Sequence, residues 1–171
     1  MKIDLNVKFG IVLGIINCII WYFIANSLGF YSLNLYSYKF YVSIGLLITG
    51  IFTSIYLTRK SYEGFITFKQ SLKIAVFFSL IFSAITALFN YLYHKFIIPD
   101  AIDFFVSEEK KAWLTHNRTL EETEKYILEY YIPSFGSFHI LMTTLIWGIV
   151  LSLLFSAILR RKNPSMDFSA N

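Results

Sequence analysis

The sequence predicts an all-α integral membrane four-helix bundle, with both termini cytoplasmic and a helical hairpin on the outer face between spans 3 and 4. Three observations carry that prediction. Of 171 residues, 56% are hydrophobic and only 15% charged, with a mean hydropathy of +0.58, more apolar surface than a globule of this size hides from water. Four apolar runs, at 9–28, 41–57, 68–94 and 138–159, are each long enough to cross hydrocarbon ~30 Å thick at ~1.5 Å per residue. The cations flanking these runs fall mostly on one side.

The first run carries no charge and follows Lys2 and Lys8. That start resembles a signal peptide, but the run exceeds an h-region and lacks a small-x-small cleavage site, so a retained span is expected. Gly29 to Lys39 reads as an aromatic and polar link. The second run sits at the lower length limit, with Tyr38 and Phe40 as interfacial residues. Arg59 and Lys60 close it. Thr67 and Gln70 match a T-x-x-Q capping box that would start the third span, and Pro99 ends it. The fourth stops at Arg160, Arg161 and Lys162. Residues 1–162 therefore read as a single transmembrane domain and 163–171 as a flexible tail.

The side holding the termini and the link between spans two and three has nine cations and three acids; the other side has six cations and eight acids. By the positive-inside rule the first side is cytoplasmic. Ten of the twelve tyrosines fall on the other side, as an aromatic belt.

All eight outer acids lie between spans three and four, where two helices fit about 100–132. Asp100 can cap the first, and Ile102, Phe105, Val106 and Trp113 recur at helical spacing. Thr119 and Glu122 form a capping box for the second, with Leu120, Ile127, Tyr130 and Tyr131 on its apolar side. His116-Asn117-Arg118 suits the turn. The bland reading packs the hairpin on itself and on the ends of the spans; the functional one docks a partner. Its net negative charge argues against adhesion to anionic head groups.

Membrane helices associate where small residues let backbones approach. Such ladders run through Gly10, Gly14 and Cys18; through Gly45, Thr49 and Thr53; through Ser71, Ala75, Ser79, Ser83 and Ala87; and through Thr144, Gly148, Ser152 and Ser156. Together they favour an intramolecular bundle over self-association.

Candidates for chemistry are few. No span has an acid or a cation in its apolar middle, which weakens the pump and coupled-transporter readings. Asn17 is the one deep amide, expected to bond a neighbouring helix rather than a substrate. At the outer end Asn26, Asn90, Tyr93, His94 and His139 form a polar cluster, joined by Tyr22. Two histidines and a carboxylate such as Asp100 could ligate zinc, but no H-x-x-E or H-x-x-x-H spacing occurs, and an interfacial belt is the plainer reading. Cys18 has no cationic neighbour to make it a thiolate, and as the single cysteine it excludes an intrachain disulfide. The Asn117-Arg118-Thr119 sequon has meaning only in a eukaryotic secretory pathway. A formal charge of +4, spread along the chain, does not suggest nucleic acid. No cofactor and no metal are expected.

The stretches G-F-I-T-F-K-Q-S-L-K at Gly64 to Lys73 and A-L-F-N-Y-L-Y-H-K-F-I-I-P-D at Ala87 to Asp100 resemble the bacterial domain of unknown function 4199. The acidic T-L-E-E-T-E-K and the Arg-Arg-Lys that ends the fourth span extend the resemblance to roughly Lys8–Lys162. Relatives often have a glycine between the outer helices, near where Asn117 stands here. The resemblance implies a small four-span protein of the inner membrane, without catalytic residues to transfer.

The leading expectation is a non-enzymatic membrane protein acting through the lipid bilayer, a membrane-protein partner or self-association. The alternative is a small homo-oligomeric channel or transporter whose Ser and Thr ladders line a path. An interfacial enzyme using His94 and His139 stands third.

Overall fold

The computed structural model describes residues 3–28, 35–99, 107, 111 and 133–161; nearly all of the 100–132 segment, and the tail after 162, lie outside the described residues. Four long helices make up the fold: α1 (Ile3–Leu28), α2 (Leu35–Ser61), α3 (Phe68–Leu92) and α4 (Pro133–Leu159). A π turn, Tyr93–Ile97, continues α3, with Ile98 N–H donating to the Tyr93 carbonyl at 3.1 Å. Within these helices Asn6–Ser27, Tyr38–Ser61, Phe68–Ile97 and Gly136–Leu159 are long and apolar enough to cross a membrane.

The helix α3 packs against all three others, most extensively against α4 and then α1, while α2 also touches α1 and α4. Its ladder residues Ser71, Ala75, Ser79, Ser83 and Ala87 are all buried. Their small size is what permits the approach: a Cβ added at Gly148 on α4 would stand 2.6 Å from the Ser79 Cβ. Gly10 and Gly14 play the same part on α1, where an added Cβ would meet Ile81 at 3.3 Å and Ile85 at 3.1 Å. Ser152 and Ser156 on α4 are fully buried as well.

On α2 the packing stripe differs from the ladder read in the sequence. Gly45 has open space around it and Thr49 is exposed. The buried line is instead Lys39, Ser43, Leu47, Ile51 and Ile55, at four-residue spacing. The glycine that matters is Gly50, where an added Cβ would fall 2.1 Å from Phe78 Cζ and 2.9 Å from Leu13 Cδ1. Small residues are common in spans, and only the neighbouring helix decides which of them is a contact.

The start of α2 also departs from the sequence reading. Lys39, assigned there to the link, belongs to the helix and is only 3% exposed. A rule that stops a span at the first charge fails here because the charge sits on the inward stripe, four residues before Ser43.

Toward the end that carries Arg161, Leu47, Ile51, Ile55, Ile66, Ala75, Phe78 and Phe82 form an apolar core. Phe78 centres it, with ring centroids 6.0 Å from both Phe9 and Phe82. Several polar ties close this end. Ile66 and Arg161 exchange backbone hydrogen bonds of 3.0 and 2.9 Å. The Asn6 amide donates to Thr58 Oγ1 at 3.4 Å, and Arg59 Nε donates to the Gly64 carbonyl at 2.9 Å. Gly64 has φ +85°, a left-handed turn that favours glycine. Thr67 and Gln70 form the capping box: Gln70 N–H donates to Thr67 Oγ1 at 3.3 Å and Thr67 N–H to Gln70 Oε1 at 3.1 Å.

Candidate functional site: a lysine chamber between the four helices

The opposite, Lys39 end is polar inside. Asn17, one turn below Trp21 on α1, has an amide nitrogen that donates to Thr86 Oγ1 on α3 at 3.2 Å. The Ser43 hydroxyl lies 3.1 Å from Asn17 Oδ1 and 2.8 Å from the Lys39 carbonyl, two acceptors for its one proton. Trp21 Nε1–H donates to Ser43 Oγ at 3.0 Å and to the Lys39 carbonyl at 3.3 Å. Four side chains from three helices thus join in one network. In a low-dielectric interior a satisfied network of this kind fixes the register of the helices it links.

The Lys39 ammonium lies over two aromatic faces, 5.1 Å from the Trp21 ring and 4.8 Å from the Tyr93 ring. Inserting a lysine at a bilayer centre costs about 2.5–3.5 kcal/mol on translocon scales. A desolvated cation–π contact contributes about 2 kcal/mol or more. Two such contacts are of the same size as that cost, which is itself smaller near the end of a span, where Lys39 stands. The rings are themselves held: Phe89 lies 6.5 Å from Trp21 and 5.6 Å from Tyr93, and His94 stands edge-on to Tyr93 at 5.5 Å. His94 is buried, and its Nδ1–H donates to the Asn90 carbonyl at 2.9 Å. The tautomer follows, because a carbonyl only accepts. Both Tyr93 and His94 belong to the π turn, whose wider winding buries two consecutive side chains. Single π turns are frequent at functional sites.

Beside Lys39 lies a cavity of about 210 Å³ to which all four helices contribute. Trp21 comes from α1, Lys39, Phe40 and Ser43 from α2, Asn90 from α3, and His139, Ile140, Thr143 and Thr144 from α4. Asn90 is held at its wall by donating its amide to Ser137 Oγ on α4 at 3.1 Å. A second hollow, about 410 Å³ and nearly all apolar, opens between α1 and α3 and is lined by Ile15, Cys18, Ile19, Tyr22, Ile85, Leu88, Phe89 and Leu92.

The structure therefore divides the polar cluster read in the sequence. Asn90 and His139 line the chamber, while Tyr93 and His94 sit behind its lysine. Asn26 is exposed on α1 and is not among the lining residues. Among the described residues no three His, Cys, Asp or Glu side chains come together. Sequence reasoning missed Lys39, Ser43, Trp21 and Thr143 as site residues and read Thr144 as part of a packing ladder. The signal was present for the first two: the i, i+4 continuation of Leu47, Ile51 and Ile55 leads back to Ser43 and Lys39.

Four apolar helices of membrane-crossing length around a cavity edged by a buried lysine make this a multi-pass membrane protein. Within that class, the chain belongs to the family described as Protein of unknown function (DUF4199), whose model matches residues 8–161. No curated protein and no solved structure matches the chain.

Proposed function

We propose that this is a non-enzymatic, multi-pass protein of a bacterial inner membrane, with cytoplasmic termini, that acts by binding a membrane-borne ligand or partner in the lysine chamber. The observation carrying this reading is the convergence of all four helices on one cavity that holds a buried cation. Membrane-embedded charges are costly, and where they face a cavity they mark function more often than packing. Orientation is supported by the nine cations to three acids on the Arg161 side. The bacterial inner membrane is inferred from the family resemblance. The 100–132 hairpin, amphipathic by sequence, would stand at the same end as the chamber and is a second contact surface for a partner.

The channel reading has less support. A path between copies needs the Ser and Thr ladders on an outer surface, whereas Ser71, Ser79, Ser83, Ser152 and Ser156 face inward. Three of these hydroxyls return to backbone carbonyls of their own helix: Ser71 to Thr67, Ser79 to Ala75 and Ser152 to Gly148.

A photo-crosslinking residue placed at Phe40 or Ile140 tests the binding reading in native membranes. The expected result is a discrete adduct at these positions and none at Leu153, which is exposed on α4. Equal labelling at all three positions would sink it.

A further inference from the structure

We infer that the Arg161 end of the bundle holds the phosphate of an anionic phospholipid in a seat made by Arg59 and Arg161. This site lies at the opposite end from the chamber and is independent of it. Three consecutive residues, Gly64, Phe65 and Ile66, fix both arginines. Arg59 Nε donates to the Gly64 carbonyl at 2.9 Å, which leaves the four N–H groups on its two terminal nitrogens for a ligand. Arg161 is held through its backbone, which exchanges hydrogen bonds with Ile66, and its guanidinium carbon lies 5.9 Å from the centre of the Phe65 ring. A guanidinium over an aromatic face keeps its in-plane donors free, and its planar fork matches a phosphate bidentately. Two forks tied to one short segment need little further ordering to meet one phosphate.

Charge and depth point to a lipid. This side of the chain has nine cations and three acids, Asp4, Glu63 and Asp167; were all three to pair, six cations would remain. Glu63, the acid here whose side chain is described, is exposed, and neither arginine pairs with it. Helices α2, α3 and α4 contain no acid at all. The two arginines stand where the hydrocarbon ends, Arg59 in the last turn of α2 and Arg161 just past the end of α4 at Leu159. Lys60, Lys69, Lys73 and Arg160 share this end and are exposed. Clusters of about four to eight Lys and Arg beside a span recruit anionic lipids. Lys69 and Lys73, one turn apart, also head an exposed face of α3 that continues through Phe77, Leu80 and Leu88. A lipid seated by its head group therefore finds apolar side chains at the depth of its acyl chains.

The test uses the full chain in mild detergent. Native mass spectrometry compares retention of phosphatidylglycerol with phosphatidylcholine, and thermal unfolding is followed with phosphatidylglycerol or inorganic phosphate. Wild type should retain phosphatidylglycerol about tenfold better than phosphatidylcholine. Arg59→Gln/Arg161→Gln should lose most of that preference, and Lys60→Gln/Lys69→Gln, with the same change in net charge, less than half of it. Equal losses from the two pairs would reveal a diffuse field of cations and overturn the seat. A wild type without lipid preference overturns it too, as does a Tm raised as much by inorganic phosphate as by phosphatidylglycerol. Should the arginine double variant fail to fold, Arg161→Gln alone takes its place, because the backbone pairing with Ile66 does not need that side chain. A loss of about threefold is expected of it, and full retention of the preference would sink the inference.

Discussion

Toward Arg161 the bundle is filled by Leu47, Ile51, Ile55, Phe78 and Phe82 and closed by backbone pairing between Ile66 and Arg161; toward Lys39 the same four helices enclose hydroxyls, amides, an ammonium and a cavity. The first half gains its stability chiefly from contact, with polar ties only at its rim. Lipid tails are as apolar as the side chains, so only close fit rewards helix association there. The second half gives up that fit around about 210 Å³ of space and holds its helices in register by directed hydrogen bonds instead. Binding sites commonly lie in the less tightly optimised part of a fold. On the proposed function, the Arg161 half is the platform and the Lys39 half the part that binds.

Substitutions can break this contrast. The largest effect is expected from Phe78→Ala, which empties a fully buried site between Phe9 and Phe82. A loss of about 3–5 kcal/mol follows from large-to-small changes of this kind. Unfolding in a titration of denaturing detergent measures it. A loss below ~1 kcal/mol would mean that the platform is not where stability resides.

Next comes the α3–α4 seam. Gly148→Ala drives a Cβ to within 2.6 Å of the Ser79 Cβ, and neither atom can rotate away. Overpacking here should cost about 1–3 kcal/mol. Adding Ser79→Gly removes the opposing atom, so the double variant should recover most of the loss. An unimproved double variant would show that the seam relaxes elsewhere.

Thr67→Ala is a smaller probe of the platform. It removes the hydroxyl that accepts from Gln70 N–H and leaves the first turn of α3 half-capped. About 1 kcal/mol is expected for a lost N-cap. Amide exchange at Phe68 to Ser71 should quicken first, with the Lys39 half unaffected.

Much of the platform was legible in the sequence, because each of its signals is local. The run of apolar residues gives the four helices, T-x-x-Q gives the cap, and small residues at four-residue spacing mark α3 and α4. What failed was the assignment of depth. Gly45, Thr49 and Thr53 look like a ladder by spacing, yet Gly50 makes the contact because Phe78 stands opposite it, and that is a fact about another helix. Lys39 looked like a boundary because a charge is costly in lipid. Two of its partners are Trp21, eighteen residues before it, and Tyr93, fifty-four after it, which no window along the chain brings together.

The last prediction turns on that lysine and has the smallest expected effect on stability. Lys39→Met keeps the length of the stem, and the methyl group remains over the two rings. Removing the ammonium also removes the cost of keeping it out of water. Stability should therefore stay within about 1 kcal/mol of wild type or rise. The same detergent titration measures it. A fall of more than ~3 kcal/mol would instead make Lys39 a structural tie, and the two halves of the bundle would then differ in polarity without differing in task.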